Sequence, residues 1–195
     1  MNRVKRFGVV LTGTLLSVFL GSCSDIGKQD GPVQLIVTTT QILHRVDLEA
    51  GATGCAVNLA TVNLRSLLLQ GGLATIPTDN RFNDIQLTSY RVSYARTDGG
   101  KTIPESFVRT ISGSLTPGAS GSSLSNFQGF SPDATNQAPF AALLPQNGSR
   151  DPETGKPFVS MNIILEVFGQ TLAGARVSGT TQIPVDFCYH CGGCS

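Results

Sequence analysis

Cysteine is the residue type best placed to do chemistry in this chain, and its spacing is uneven. Three cysteines crowd the last eight residues, in Cys188-Tyr189-His190-Cys191-Gly192-Gly193-Cys194-Ser195, while Cys55 and Cys23 stand far upstream. Thiols so placed can form disulfides, hold a metal, or exchange disulfides with another protein. With Cys23 set aside, four remain, and in an oxidising compartment an even number most simply forms two disulfides. Three pairings are open, and each joins Cys55 to the tail and makes a second bond within the tail. A bridge from Cys55 would pin the end of the chain to a distant segment and contribute about 2–4 kcal/mol. Gly192 and Gly193 let the tail bend into a small ring. Structural pairing of Cys55, Cys188, Cys191 and Cys194 is therefore the preferred reading. The alternative is a thiol redox or metal-binding protein centred on the C-terminal cluster. Four thiolates, or three with His190, can hold zinc tetrahedrally, but oxidation competes for the same thiolates.

The tail also invites two comparisons. Cys188-Tyr189-His190-Cys191 resembles the Cys-Pro-His-Cys active site of periplasmic thiol oxidoreductases. In that family the first cysteine sits at a helix N-terminus, which lowers its pKa. Here Tyr189 stands in place of the proline, and no βαβ pattern precedes the motif. The Cys-x2-Cys-x2-Cys run is similar to part of a ferredoxin cluster motif, without its fourth close cysteine and its proline. Haem attachment needs histidine directly after the second cysteine, and Gly192 occupies that place.

The remaining polar residues form no catalytic set. His44 lies in a strand-like run and reads as a surface or edge residue. There is no Gly-x-Ser-x-Gly elbow and no phosphate-binding glycine loop. Asn147, Ser149, Asp151 and Glu153 alternate oxygens as a calcium loop does, and Asp79, Asn80, Asn83 and Asp84 form a second oxygen-rich patch. Both patches fall where turns are expected, and Asp, Asn and Ser favour turns through local hydrogen bonds. The turn reading is preferred. No catalytic residue, metal ligand or cofactor is expected.

The N-terminus fixes a destination. Arg3, Lys5 and Arg6 precede an apolar run at 7–20, which is too short for a durable membrane span. A basic tip, an apolar run and small residues at a cut site make an export signal. Leu20-Gly21-Ser22-Cys23 resembles the lipobox of bacterial lipoproteins. The resemblance implies cleavage before Cys23 and a diacylglyceryl group on its sulfur. It implies a cell-envelope protein held to the membrane by lipid, and Ser24 after the cysteine leans towards the outer membrane.

The expected organisation is then a signal peptide at 1–22, a lipidated tether at 23–31 and a single domain at 32–195. The mature chain has 11 Lys plus Arg against 13 Asp plus Glu and no basic block, so nucleic acid is excluded as a partner. Possible partners are the membrane, through the lipid, and a protein or glycan of the envelope.

Charged residues are only 14% of the chain, a composition that suits strands joined by turns better than helices. Strand signals run from Val33 to Thr40, from Ile85 to Tyr94 and from Phe107 to Ile111. A parity change near Ser89 marks a bulge. Asp98-Gly99-Gly100 signals a tight turn. Residues 112–157 show no clear period and read as a long loop, apart from a helical turn within 138–144. In the next strand Met161, Ile163, Leu165 and Val167 share one parity and should face the core. Pro184 in the last strand calls for an edge strand or an edge-facing position. Short strands at near-regular spacing argue for an all-β fold, an antiparallel β-sandwich. The closing hairpin resembles the end of immunoglobulin-like and fibronectin-III-like exported domains.

Overall fold

A computed structural model describes residues 32–39, 44–49, 61–69, 81–124 and 127–191. Cys23, Cys55 and Cys194, with the expected signal and tether, lie outside the described residues. The fold is all-β. Its strands are β1 (Val33–Thr39), β2 (His44–Asp47), β3 (Val62–Leu68), β4 (Ile85–Arg96), β5 (Phe107–Leu115), β6 (Ser122–Leu124), β7 (Phe158–Thr171) and β8 (Arg176–Cys188). They form a three-stranded sheet in the order β1-β3-β6 and a five-stranded sheet in the order β2-β8-β7-β4-β5.

The alternation in β7 does what its pattern requires. Met161, Ile163, Leu165 and Val167 are buried on one face. On the other face Asn162 bonds Gln182, and Glu166 pairs with Arg91 of β4. The bulge expected near Ser89 is present: β4 slips register between Leu87 and Ser89 against both its neighbours. It lets Leu87 point inward with Tyr90 and Val92 despite their opposite parity.

Among the described strands all pairings but one are antiparallel. β2 runs parallel to β8, with His44 opposite Val185 and Asp47 opposite Cys188. β1 lies against β8 from the other sheet, so closely that a Cβ on Gly179 would collide with the Leu35 carbonyl. Leu35 thus meets β8 at Gly179 and His44 meets it six residues later, so β1 and β2 advance along β8 in the same direction. The chain changes sheets between them.

One expectation is met and one is corrected. β8 is an inner strand, flanked by β7 and β2, so Pro184 takes the edge-facing position of the two expected for it. The pairing with β2 begins opposite Val185, one residue later. The connection around Asp98-Gly99-Gly100 is longer than a tight hairpin. β4 ends at Arg96 and β5 starts at Phe107.

Residues 112–157, expected as one long loop, hold the end of β5, all of β6 and 3-10 helices at Pro132–Asn136, Phe140–Leu143 and Pro145–Asn147. The helical turn expected within 138–144 is the second of these. Phe127, Phe130, Phe140 and Leu143 are buried. Phe130 and Phe140 pack against Phe187 of β8, with ring centroids 5.5 and 4.5 Å away. The Tyr94 hydroxyl donates to the Gly129 carbonyl at 3.0 Å, and burial pushes its pKa well above the usual phenol value. The segment therefore completes the core over part of the five-stranded sheet.

Candidate functional site

The only cysteines among the described residues, Cys188 and Cys191, are bonded to each other, with their Cα atoms 5.9 Å apart. The bond closes Cys-Tyr-His-Cys into a ring at the end of β8. His190 takes a left-handed backbone conformation, φ 53°, to turn the chain back. Its ring stands edge-on to that of Tyr189.

β2 positions the partner of this ring. The parallel register sets Asp47 opposite Cys188, and the Leu48 N–H donates to the Cys188 carbonyl at 2.8 Å. Asp47 is buried. Its Oδ1 accepts the N–H groups of Glu49 and His190 at 3.0 and 3.1 Å, and its Oδ2 accepts that of Cys191 at 2.9 Å. One buried carboxylate thereby satisfies backbone donors on both sides of the β2–β8 seam. At the surface the His190 Nδ1 lies 2.9 Å from the Glu49 Oε2, with both side chains well exposed.

This arrangement tells against a fast thiol exchanger. A reactive cysteine needs a setting that stabilises the thiolate, such as a helix N-terminus or a cation. Here the ring is bonded by Asp47 and flanked by Glu49, and negative charge disfavours a thiolate. Cys188 ends a strand and is 6% exposed, whereas Cys191 is only half-buried. In a thiol oxidoreductase the first cysteine is the accessible one.

A second polar cluster lies at the same end of the sheet. Arg96 ends β4, and its side chain is 1% exposed, as are those of Asp98 and Asp151. Arg96 donates to both oxygens of Asp98, at 2.8 and 2.7 Å, and to Asp151 at 2.8 Å. Asp98 also accepts the N–H groups of Gly100 and Ser160. Asp151 accepts from the Thr154 backbone and hydroxyl. Glu153 accepts the N–H groups of Thr102 and Lys101 and the Thr102 hydroxyl. Burial opposes the charge on Asp98, but the Arg96 guanidinium and two backbone donors hold its pKa down at about 2. Asp151 is lowered in the same way, against its burial, by Arg96 and Thr154. Arg96 is raised by both carboxylates despite its desolvation. Gly100 stacks on the guanidinium, where a Cβ would collide. The cluster clips the loop after β4 to the turn before β7.

Of the residues read as alternating ligands in 147–153, Asp151 and Glu153 direct their oxygens at Arg96, and the Asn147 side-chain amide donates to the Ala141 carbonyl. Among the described residues no group of three His, Cys, Asp or Glu is placed to hold a metal ion. His44 opens the edge strand β2.

No protein-family model, curated protein or solved structure matches this chain. The site therefore rests on its own geometry. Sequence reading brought Cys188 and Cys191 together but left three pairings open, and it missed Asp47 and Arg96. Asp47 did carry a faint signal, as an acidic residue closing a strand run otherwise marked by Val46 and Leu48.

Proposed function

We propose that the chain is a lipid-anchored bacterial envelope protein whose β-sandwich, immunoglobulin-like in topology, serves as a structural or binding module. The lipobox at Cys23 carries the anchor, and a disulfide in an exported domain agrees with it. The sandwich reading draws on the strand orders. β8-β7-β4-β5 corresponds to the G-F-C-C′ succession of variable-type immunoglobulin sheets, with β1, β3 and β6 as their facing partners. The lipid holds the body at the outer membrane, where it faces a protein or glycan of the envelope.

The observation that carries the module reading is the internal use of the polar groups. The buried charges of Arg96, Asp98, Asp151 and Asp47 are spent on joining strands and loops to one another. What the body offers a partner is surface, including the nine-residue edge strand β5, to which another strand can add.

Fractionation of the native host tests the anchor. The wild-type protein is expected in the membrane fraction and Cys23→Ser in the soluble fraction. A Cys23→Ser protein that stays with the membrane overturns the anchor. Insulin reduction by the purified protein, lost in Cys188→Ser, would replace the module reading with a redox one.

A further inference from the structure

Six large apolar side chains stand out as exposed among the described residues, and four of them, Leu67, Leu69, Phe82 and Leu172, gather at one end of the fold. Backbone hydrogen bonds and strand register fix that end. Leu69 donates its N–H to the carbonyl of Pro32, the residue at which the chain enters β1. Gly118, just past β5, donates to Ser66, which ties the end of β3 to the end of β5. There Leu115 pairs with Ile85, and Ile85 pairs with Thr171. Leu172 and Ala173 in turn donate to the carbonyls of Asp84 and Phe82. Phe82 is 68% exposed, Leu69 51% and Leu172 49%. Arg81 and Arg176 are exposed beside them.

The geometry points to this end as a membrane-docking face that rests on the bilayer holding the lipid on Cys23. The inference depends on the proposed anchor. Only eight residues lie between Cys23 and Pro32, which makes nine steps along the chain. Even fully extended they reach about 30 Å. A lipid on Cys23 therefore keeps the Pro32 end within that distance of the headgroups. Chain entry and apolar cluster coincide, so the surface held nearest the bilayer is also the one that gains most by touching it. Leucine and phenylalanine side chains enter the boundary between headgroups and acyl chains, and Arg81 and Arg176 suit anionic headgroups. The opposite end of β8, with the Cys188–Cys191 ring, then points away from the membrane, roughly 40 Å further along the strand.

The protein has no tryptophan, so a single one reports cleanly. Phe82→Trp places it on the proposed face. Val108→Trp places it on β5, at a position 61% exposed and about 23 Å along the strand from that end. Each full mature protein is taken from its host and put in vesicles of phosphatidylethanolamine and phosphatidylglycerol with brominated acyl chains. Intact mass reads acylation of Cys23 in the same sample. Docking predicts blue-shifted emission at position 82, quenched by the brominated lipid, with position 108 unaffected. Leu172→Asn in the Phe82→Trp background should weaken the quenching without altering the acyl mass. An acylated protein with position 82 unquenched overturns docking and leaves the anchor standing. Position 82 shielded from aqueous iodide but not quenched by lipid means a protein covers the patch, and also overturns it. A mass with no acyl group removes the anchor and the inference built on it.

Discussion

Asp47 and Cys191 are 144 residues apart in sequence, yet the Asp47 carboxylate accepts the Cys191 backbone N–H at 2.9 Å. The same carboxylate takes the His190 N–H, so the disulfide ring and the edge strand β2 are held by one buried anion. The disulfide shapes the ring, and Asp47 fastens the ring to the sheet.

Removing the anion should loosen that seam. Asp47→Ala leaves backbone donors without their acceptor and is expected to cost about 1–3 kcal/mol in urea unfolding. Asp47→Asn keeps one acceptor oxygen and should cost less. Equal losses in the two variants would mean the charge, rather than the hydrogen bonding, matters there.

The disulfide itself should contribute modestly. Closing so short a loop is worth roughly 2 kcal/mol in the chain-entropy view. Cys188→Ser with Cys191→Ser should lower stability by about that much, and it should shrink the effect of Asp47→Ala because the ring is no longer held in shape. Additive losses would contradict the coupling. With Cys188 and Cys191 bonded, Cys55 and Cys194 are left as the second pair, and peptide mapping without reduction should find them joined.

The Arg96 cluster sets a pH dependence. The Asp98 pKa falls from the ordinary 3.8 to about 2 on folding. A group depressed in this way stabilises the fold above its unfolded pKa, and the stability is lost as pH falls towards its folded value. Urea midpoints should therefore hold steady above about pH 5 and decline between about pH 4 and pH 2. Arg96→Met leaves two buried carboxylates uncompensated and should cost about 3–5 kcal/mol at neutral pH. In that variant mild acid should restore stability rather than remove it. A wild-type profile that stays flat down to pH 2 would contradict the cluster.

Residues 127–147 should resist proteolysis in the isolated protein, because Phe130 and Phe140 pack on Phe187. Phe140→Ala is expected to cost about 3–5 kcal/mol and to open the segment to chymotrypsin. Rapid cutting there in the wild type would mean the segment orders only on a partner.

Local signals carried much of this fold. Period-two alternation in 159–167 named the core face, and the parity change at Ser89 gave the bulge, because both are imposed by neighbouring residues. Of the segment 127–147 only the helical turn within 138–144 was legible. The segment's phenylalanines follow no period, since they fill space over a sheet instead of lying along a strand. Pro184 reported its own missing donor and so named an edge-facing position, but not where a partner strand 140 residues upstream begins. The candidate site was half legible. Cysteines announce themselves by type, whereas Asp47 and Arg96 gain their meaning from register and chain crossing that no local window contains.

The most direct test of the account is the intact mass of the mature protein from native membranes, with thiols alkylated before and after reduction. The account predicts a chain beginning at Cys23 and carrying lipid mass, with no alkylation until reduction and then four thiols from two bridges. A chain with no lipid on Cys23, or with Cys188 and Cys191 open to alkylation from the start, would contradict it.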